Sequence, residues 1–203
     1  YCANSLDKAL RKRENQQYLL ASKKQYLENM TLFLMKQGII MQIIGGAKRG
    51  TKLAECKSSS VRTTRQRIRE AIFSILAGGR FKQTISNSTV LDLFAGTGAL
   101  GLEALSRGAS EAFFVERDKL ALNTLRANIR KLNYLEATTI LAVSVENITR
   151  WNYPPADIVF CDAPYGENIT SLALQNIAKK GAIKNGGLVM AEMPKSEKLV
   201  LSD

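Results

Sequence analysis

The stretch VLDLFAGTGALGLEAL, residues 90–105, constrains this chain more than any other. An apolar strand interrupted by Asp92 ends at Phe94, a glycine turn follows, and a helix begins near Gly98. Gly96 and Gly98 let the backbone turn sharply and approach a ligand closely. Gly101 lets the helix lie tight against a sheet. The spacing Gly96-x-Gly98-x-x-Gly101 matches the dinucleotide-binding fingerprint. Glu116 follows about twenty positions later, at the end of the next apolar run, where a carboxylate can hold a ribose hydroxyl pair.

The same alternation continues to the end of the chain. After TVLDLF and the helix closed by Gly108 come the strand AFFVE, the helix KLALNTLRANIRKL and the strand TTILAV. DIVFCD, the helix ITSLALQNIAKK and the strand GLVMAEM complete the series. Strands separated by helices give a parallel sheet, so the expected fold is α/β, doubly wound and Rossmann-like, with ligands at the C-terminal strand ends. Ahead of it, residues 5–35 read as helix and residues 41–54 as two short strands around a Gly- and Lys-rich turn. Residues 64–77 read as an amphipathic helix with Ile68, Ile72, Ile75 and Leu76 on its inward face. This divides the chain into a helical extension (1–40), a basic hairpin and Arg-rich helix forming an appendage (41–85), and a catalytic domain (86–203).

Charge supports that division. The formal net charge is +11. Residues 1–85 carry 17 basic and 5 acidic side chains, whereas residues 86–203 carry 12 and 13. A polyanion-binding front on a near-neutral body is the expectation, a solvated basic face the plainer alternative. The chain has no histidine and three cysteines without a CxxC pair, which argues against zinc or a Cys/His nucleophile and fits a reducing, cytoplasmic setting. No apolar run is long enough for a membrane span, and no signal peptide is evident.

The glycine turn alone does not separate NAD(P) or FAD from S-adenosylmethionine. Asp92, two residues before the strand end, lies beside the turn where a cationic methionine moiety can sit, and the FAGTG form resembles the methyltransferase loop. The second chemical signal is Asp162-Ala163-Pro164-Tyr165, directly after the fourth strand. Proline fixes the backbone so that the carbonyl of residue 163 can point into a site. That carbonyl and Asp162 can each accept an N–H from an exocyclic amine, while Tyr165 stacks on the base. A simple turn after a strand is the alternative. Cys161, on the buried strand, reads as core packing.

With both signals in place, the chain resembles the RsmD family of 16S ribosomal RNA guanine-N2 methyltransferases over residues 41–193. MQIIGGAKRGTKL is similar to that family's N-terminal hairpin, VRTTRQRIREAIFSIL to its Arg-rich helix, and VLDLFAGTGALGLEALSRGA to its cofactor loop. DAPY stands where the family has Asp-Pro-Pro-Phe or Asp-Pro-Pro-Tyr, with Ala163 for the first proline. Thr63 and Gln66 also depart from the Arg-rich motif, and Ser144, with Glu146 nearby, replaces an acidic or amide residue near the adenine. The resemblance implies a class I methyltransferase, without metal, acting on ribosomal RNA or the small subunit as a monomer. Its cofactor, S-adenosylmethionine, would contact Asp92, Phe94, Ala95, Gly96, Thr97, Gly98, Glu116, Arg117, Ser144 and Val145. Lys48, Arg49, Arg62, Arg65, Arg67 and Arg69 would contact RNA phosphates. The family has seven strands and this chain stops as a sixth, LVLS, begins, so the last hairpin is expected beyond Asp203; a start at Tyr1 likewise suggests residues before it. An adenine-N6 methyltransferase, an NAD(P)-dependent oxidoreductase and a non-catalytic RNA-binding assembly factor on the same shell remain alternatives.

Overall fold

The computed structural model describes residues 41–56, 66–78, 85–164 and 168–193 of the 203-residue chain. The expected helix in residues 5–35 and the terminal strand LVLS lie outside them. Two compact units divide at Ile40/Met41, and all the described residues belong to the second.

Among the described residues the element order is α1 (Gln66–Ala77), β1 (Thr89–Leu93), α2 (Ala99–Ser106), β2 (Glu111–Val115), α3 (Lys119–Leu132), β3 (Thr138–Leu141), β4 (Ala156–Cys161), α4 (Ile169–Lys179) and β5 (Ile183–Ala191). A 3-10 turn, Val145–Asn147, precedes β4. The five strands form one parallel sheet in the order β3-β2-β1-β4-β5. The chain starts in the middle, winds outward through β3, then returns to the other side of β1. The switch point between β1 and β4 is where such a sheet opens a crevice beyond its strand ends.

Side chains alternate across the strands and build two cores. On one face, Val90, Phe114, Ile158 and Phe160 pack with α1, α2, α3 and residues Met41, Ile43 and Leu53. On the other, Leu91, Leu93, Phe113, Val115, Val159 and Cys161 pack with α4 and Val145. The segment read as an appendage therefore shares its core with the sheet. β5 begins four residues before the apolar run GLVMAEM, because strand pairing needs backbone groups rather than apolar side chains.

Two local expectations need correction. Residues 41–54 do not form paired strands: one antiparallel bridge joins Gln42 and Lys52. Single bonds from Ile43 N to Thr51 O and from Leu53 N to Met41 O close the hairpin around it. Its tip is instead satisfied by the end of α2, which removes the need for a longer ladder. Ser106 O accepts from Ala47 N, Ser106 Oγ accepts from Lys48 N, and the Glu103 carboxylate accepts from Ile44 N and Gly45 N.

The phase of α1 also differs. Its buried positions are Arg69, Phe73 and Leu76, while Ile75 is 46% exposed. Phe73 packs against the Phe160 ring and under the Arg107 guanidinium, which turns the helix toward that side. Arg69 is thereby carried inward to 1% exposure, with Nη2 donating to Gln42 O. Burial lowers its pKa from the ordinary value, partly offset by the charges of Glu103 and Glu70.

Candidate functional site

The glycine turn forms as its spacing predicts. Phe94 leaves β1 with φ of 56°, a conformation costly for a bulky residue and typical of functional turns. Gly98, at φ 81°, precedes α2 in the left-handed region, and a Cβ there would sit 2.3 Å from Leu125 Cδ1. A Cβ on Gly101 would lie 2.4 Å from the Phe114 ring, so only glycine lets α2 approach β2 this closely.

Glu116 holds the turn in place. Its Oε2 accepts from Gly96 N at 2.8 Å, and its Oε1 accepts from Arg117 N at 2.7 Å and Asp118 N at 2.8 Å. Three backbone donors thus fix one carboxylate, and Oε2, which accepts a single amide, retains a lone pair for a ligand.

These residues wall a cavity of about 1070 Å³ at the C-terminal strand ends. One side carries Phe94, Gly96, Glu116, Arg117 and Asp118; another carries Ser144, Val145 and Glu146; a third carries Asp162, Ala163 and Pro164. Leu93 and Cys161 are register partners on adjacent strands, so the chain segments leaving β1 and β4 begin side by side. The volume lies just above the roughly 300–1,000 Å³ usual for small-molecule sites. Leu120, Val143 and Leu172, large apolar side chains left exposed, line its wall.

Of the expected cofactor residues, Phe94, Gly96, Glu116, Arg117, Ser144 and Val145 reach the wall. Asp92, Ala95, Thr97 and Gly98 do not. Strand alternation turns Asp92 toward α2, where its Oδ2 accepts from Gly101 N at 2.9 Å. Asp92 is thus behind the turn rather than on the wall. Burial raises its pKa well above the ordinary carboxylate value, opposed by the Gly101 bond and reinforced by the charges of Asp162 and Glu116. Burial, followed by the Asp162 and Asp92 charges, pushes the Cys161 thiol up to about 12, so it stays protonated at neutral pH. Tyr165 lies outside the described residues.

The expected RNA contacts divide. Arg49 and Arg67 are exposed and Lys48 is half-buried. Arg69 is buried and cannot reach a phosphate, a consequence of the phase of α1. Arg62 and Arg65 lie outside the described residues. Lys48 and Arg49 lie at the hairpin tip beside Ser106, the last residue of α2, whereas the cavity lies at the start of that helix. These cations therefore sit on the far side of the domain from the expected methylation site.

One contributor escaped the sequence reading. Asp118 caps α3, accepting from Ala121 N at 2.8 Å, and lines the cavity. An acidic residue ahead of a helical run is an N-cap signal that could have found it. Glu146 pairs with Arg117 at 3.5 Å on the rim, a pair 64% and 70% exposed and so of little energetic weight.

The arrangement suits a small molecule with an apolar body and polar edges: Leu120, Val143 and Leu172 offer apolar wall, and Glu116 and Asp162 offer carboxylates. Residues 41–202 match the family model described as Conserved hypothetical protein 95. The Haemophilus influenzae protein named Ribosomal RNA small subunit methyltransferase D is 34% identical, over 79% of this chain and 82% of its own. Its Buchnera aphidicola namesake is 31% identical, over 78% and 81%. The solved Escherichia coli protein yhhF, described as a candidate methyltransferase, superposes with a TM-score of 0.66 at 30% identity, covering 78% of this chain and 84% of that one.

Proposed function

The chain belongs to the RsmD family of methyltransferases, and from that premise we propose that it transfers a methyl group from S-adenosylmethionine to the exocyclic N2 amine of a guanine in 16S ribosomal RNA, as a cytoplasmic monomer. One observation carries the reading: the glycine turn after β1 and the Asp162-Ala163-Pro164 segment after β4 wall the same cavity.

Phe94, Gly96, Glu116, Ser144 and Val145 would hold the cofactor. Glu116 is suited to the ribose hydroxyls, since its carboxylate is already oriented by three amides. When bound, the cofactor supplies a methyl group already activated for transfer. Asp162 and the carbonyl of Ala163 are suited to accept the two N–H bonds of a guanine amine. Such bonds orient the nitrogen lone pair and favour the positive charge that develops there. Pro164 fixes the backbone of this clamp. The cavity volume leaves room for a cofactor and an extruded base, which a guanine in a helix requires.

The test is to incubate the protein with S-adenosylmethionine labelled in its methyl group and small-subunit particles lacking the modification. The RNA is then digested and the labelled nucleoside identified. N2-methylguanosine is the expected product. N6-methyladenosine would retain the chemistry and change the base; tight cofactor binding without label would leave a non-catalytic RNA-binding shell.

A further inference from the structure

We infer that the outer face of α3, continued by the hairpin tip, is a track for the phosphate backbone of the RNA substrate, leading away from the mouth of the cavity. The inference rests on the RNA-methyltransferase reading above. α3 carries Lys119, Arg126, Arg130 and Lys131 and no carboxylate. Lys119, Arg126 and Arg130 are spaced i, i+7 and i+11, which puts them on one line along the helix, flanking the inward stripe of Leu122, Leu125, Ile129 and Leu132. That line spans about 16 Å at about 1.5 Å per residue. It starts at the cavity, because Lys119 lines it.

The far end meets the hairpin. Asn128 accepts from Ala54 N and donates to Ala54 O, stitching the hairpin to α3. Lys131, one turn on from Asn128, lies on that side. Lys48 places its ammonium 5.9 Å from the centre of the Tyr134 ring, just past the end of α3. Arg49 is beside it and exposed.

None of these six cations is paired with a carboxylate among the described residues, whereas Arg107, Arg117 and Lys184 each are. The helix dipole accounts for basic residues in the last turn of α3, but not for Lys119, Arg126 or the hairpin cations. A run of unpaired cations on a helix that carries no carboxylate complements a regularly charged polyanion. Such contacts position RNA without reading its sequence.

The test uses the full chain with transcribed small-subunit ribosomal RNA, measuring Kd from about 50 to 200 mM salt. Arg126→Glu/Arg130→Glu is compared with Lys179→Glu/Lys180→Glu, which makes the same charge change at the end of α4, on the other face of the sheet. The first pair is expected to raise Kd about tenfold or more and to flatten the salt dependence by about one unit per lost contact, with cofactor affinity unchanged. Arg126→Ala/Arg130→Ala should shift the slope in the same direction with the fold undisturbed. Equal effects of the two reversal pairs would overturn the track. So would a loss confined to ribosomal particles with naked RNA unaffected, which would assign the face to protein. Wild-type protein without salt-dependent RNA binding would instead overturn the RNA reading itself.

Discussion

Glu116 reaches back twenty residues to accept the amide of Gly96 at 2.8 Å, joining the end of β2 to the glycine turn that follows β1. The same carboxylate gathers the amides of Arg117 and Asp118. A residue suited by position to hold a ribose is thus also the residue that shapes the turn beside it.

Replacing Glu116 by alanine should therefore damage binding and folding together. Three amides lose their acceptor, and each one left buried without a partner costs about 1–3 kcal/mol. Cofactor affinity measured by calorimetry should fall about tenfold or more, with a lower Tm. Wild-type affinity in this variant would remove Glu116 from the site.

Asp162 presents the opposite case, because in the proposed reaction it would bond the amine rather than the cofactor. Asp162→Ala is expected to lower turnover about 10²–10³-fold, the usual loss on removing one oriented group that stabilises developing charge. Cofactor affinity should change little. Single-turnover methylation at saturating RNA separates the two effects, and undiminished turnover would take Asp162 out of the chemistry.

The glycine turn and Glu116 were legible because their spacing encodes backbone geometry, which survives any choice of neighbours. Asp162 was legible because a strand end in this topology has one destination. The phase of α1 was not. Leu76 is buried as expected, but Ile68, Ile72 and Ile75 outnumber Phe73 as its apolar companions, and only the Phe160 ring and the hairpin carbonyl of Gln42 decide for the face that buries Arg69. Nor could sequence proximity reveal that Lys48 and Arg49 meet the far end of α2. That arises because the helix runs back down the sheet.

Asp92 gives a prediction in pH. Its carboxyl is held well above the ordinary value, first by burial and then by Asp162 and Glu116. A raised acid contributes stability that is complete below its unfolded value, about 3.9, and is lost as pH rises through its native value. Asp92→Asn keeps an acceptor for Gly101 N and cannot ionise. Denaturant unfolding across about pH 4–8 should show the variant gaining stability relative to wild type as pH rises. A cationic ligand favours the ionised form, so wild-type cofactor affinity should climb over the same range and that of the variant should stay flatter. Parallel curves for the two proteins would contradict this.

Gly101 tests the packing of the turn. In Gly101→Ala the new Cβ meets Phe114 Cε1 at 2.4 Å and Cζ at 2.7 Å, and Phe114 is fully buried. Overpacking of this kind costs about 1–3 kcal/mol. Combining it with Phe114→Leu should recover part of the loss, because the smaller side chain vacates the contact. Strict additivity in a double-mutant cycle would show that the two positions do not press on one another.

Glu103 links the hairpin to the catalytic body. It is fully buried in α2, its Oε1 accepts from Gly45 N and Arg107 Nε, and its Oε2 accepts from Ile44 N. Glu103→Ala leaves the Arg107 guanidinium, itself 23% exposed, and two amides without this acceptor, and each donor left buried without a partner should cost about 1–3 kcal/mol. Glu103→Gln is the finer probe. One oxygen can still serve Gly45 and Arg107, but its amide group then faces the Ile44 N–H, donor against donor, for a loss of about 1–3 kcal/mol. Hydrogen exchange should quicken first at Ile44, ahead of the strand amides of β1, because the hairpin loses its anchor while the sheet keeps its own. Uniform acceleration across hairpin and sheet would mean that Glu103 stabilises the whole fold without singling out the hairpin.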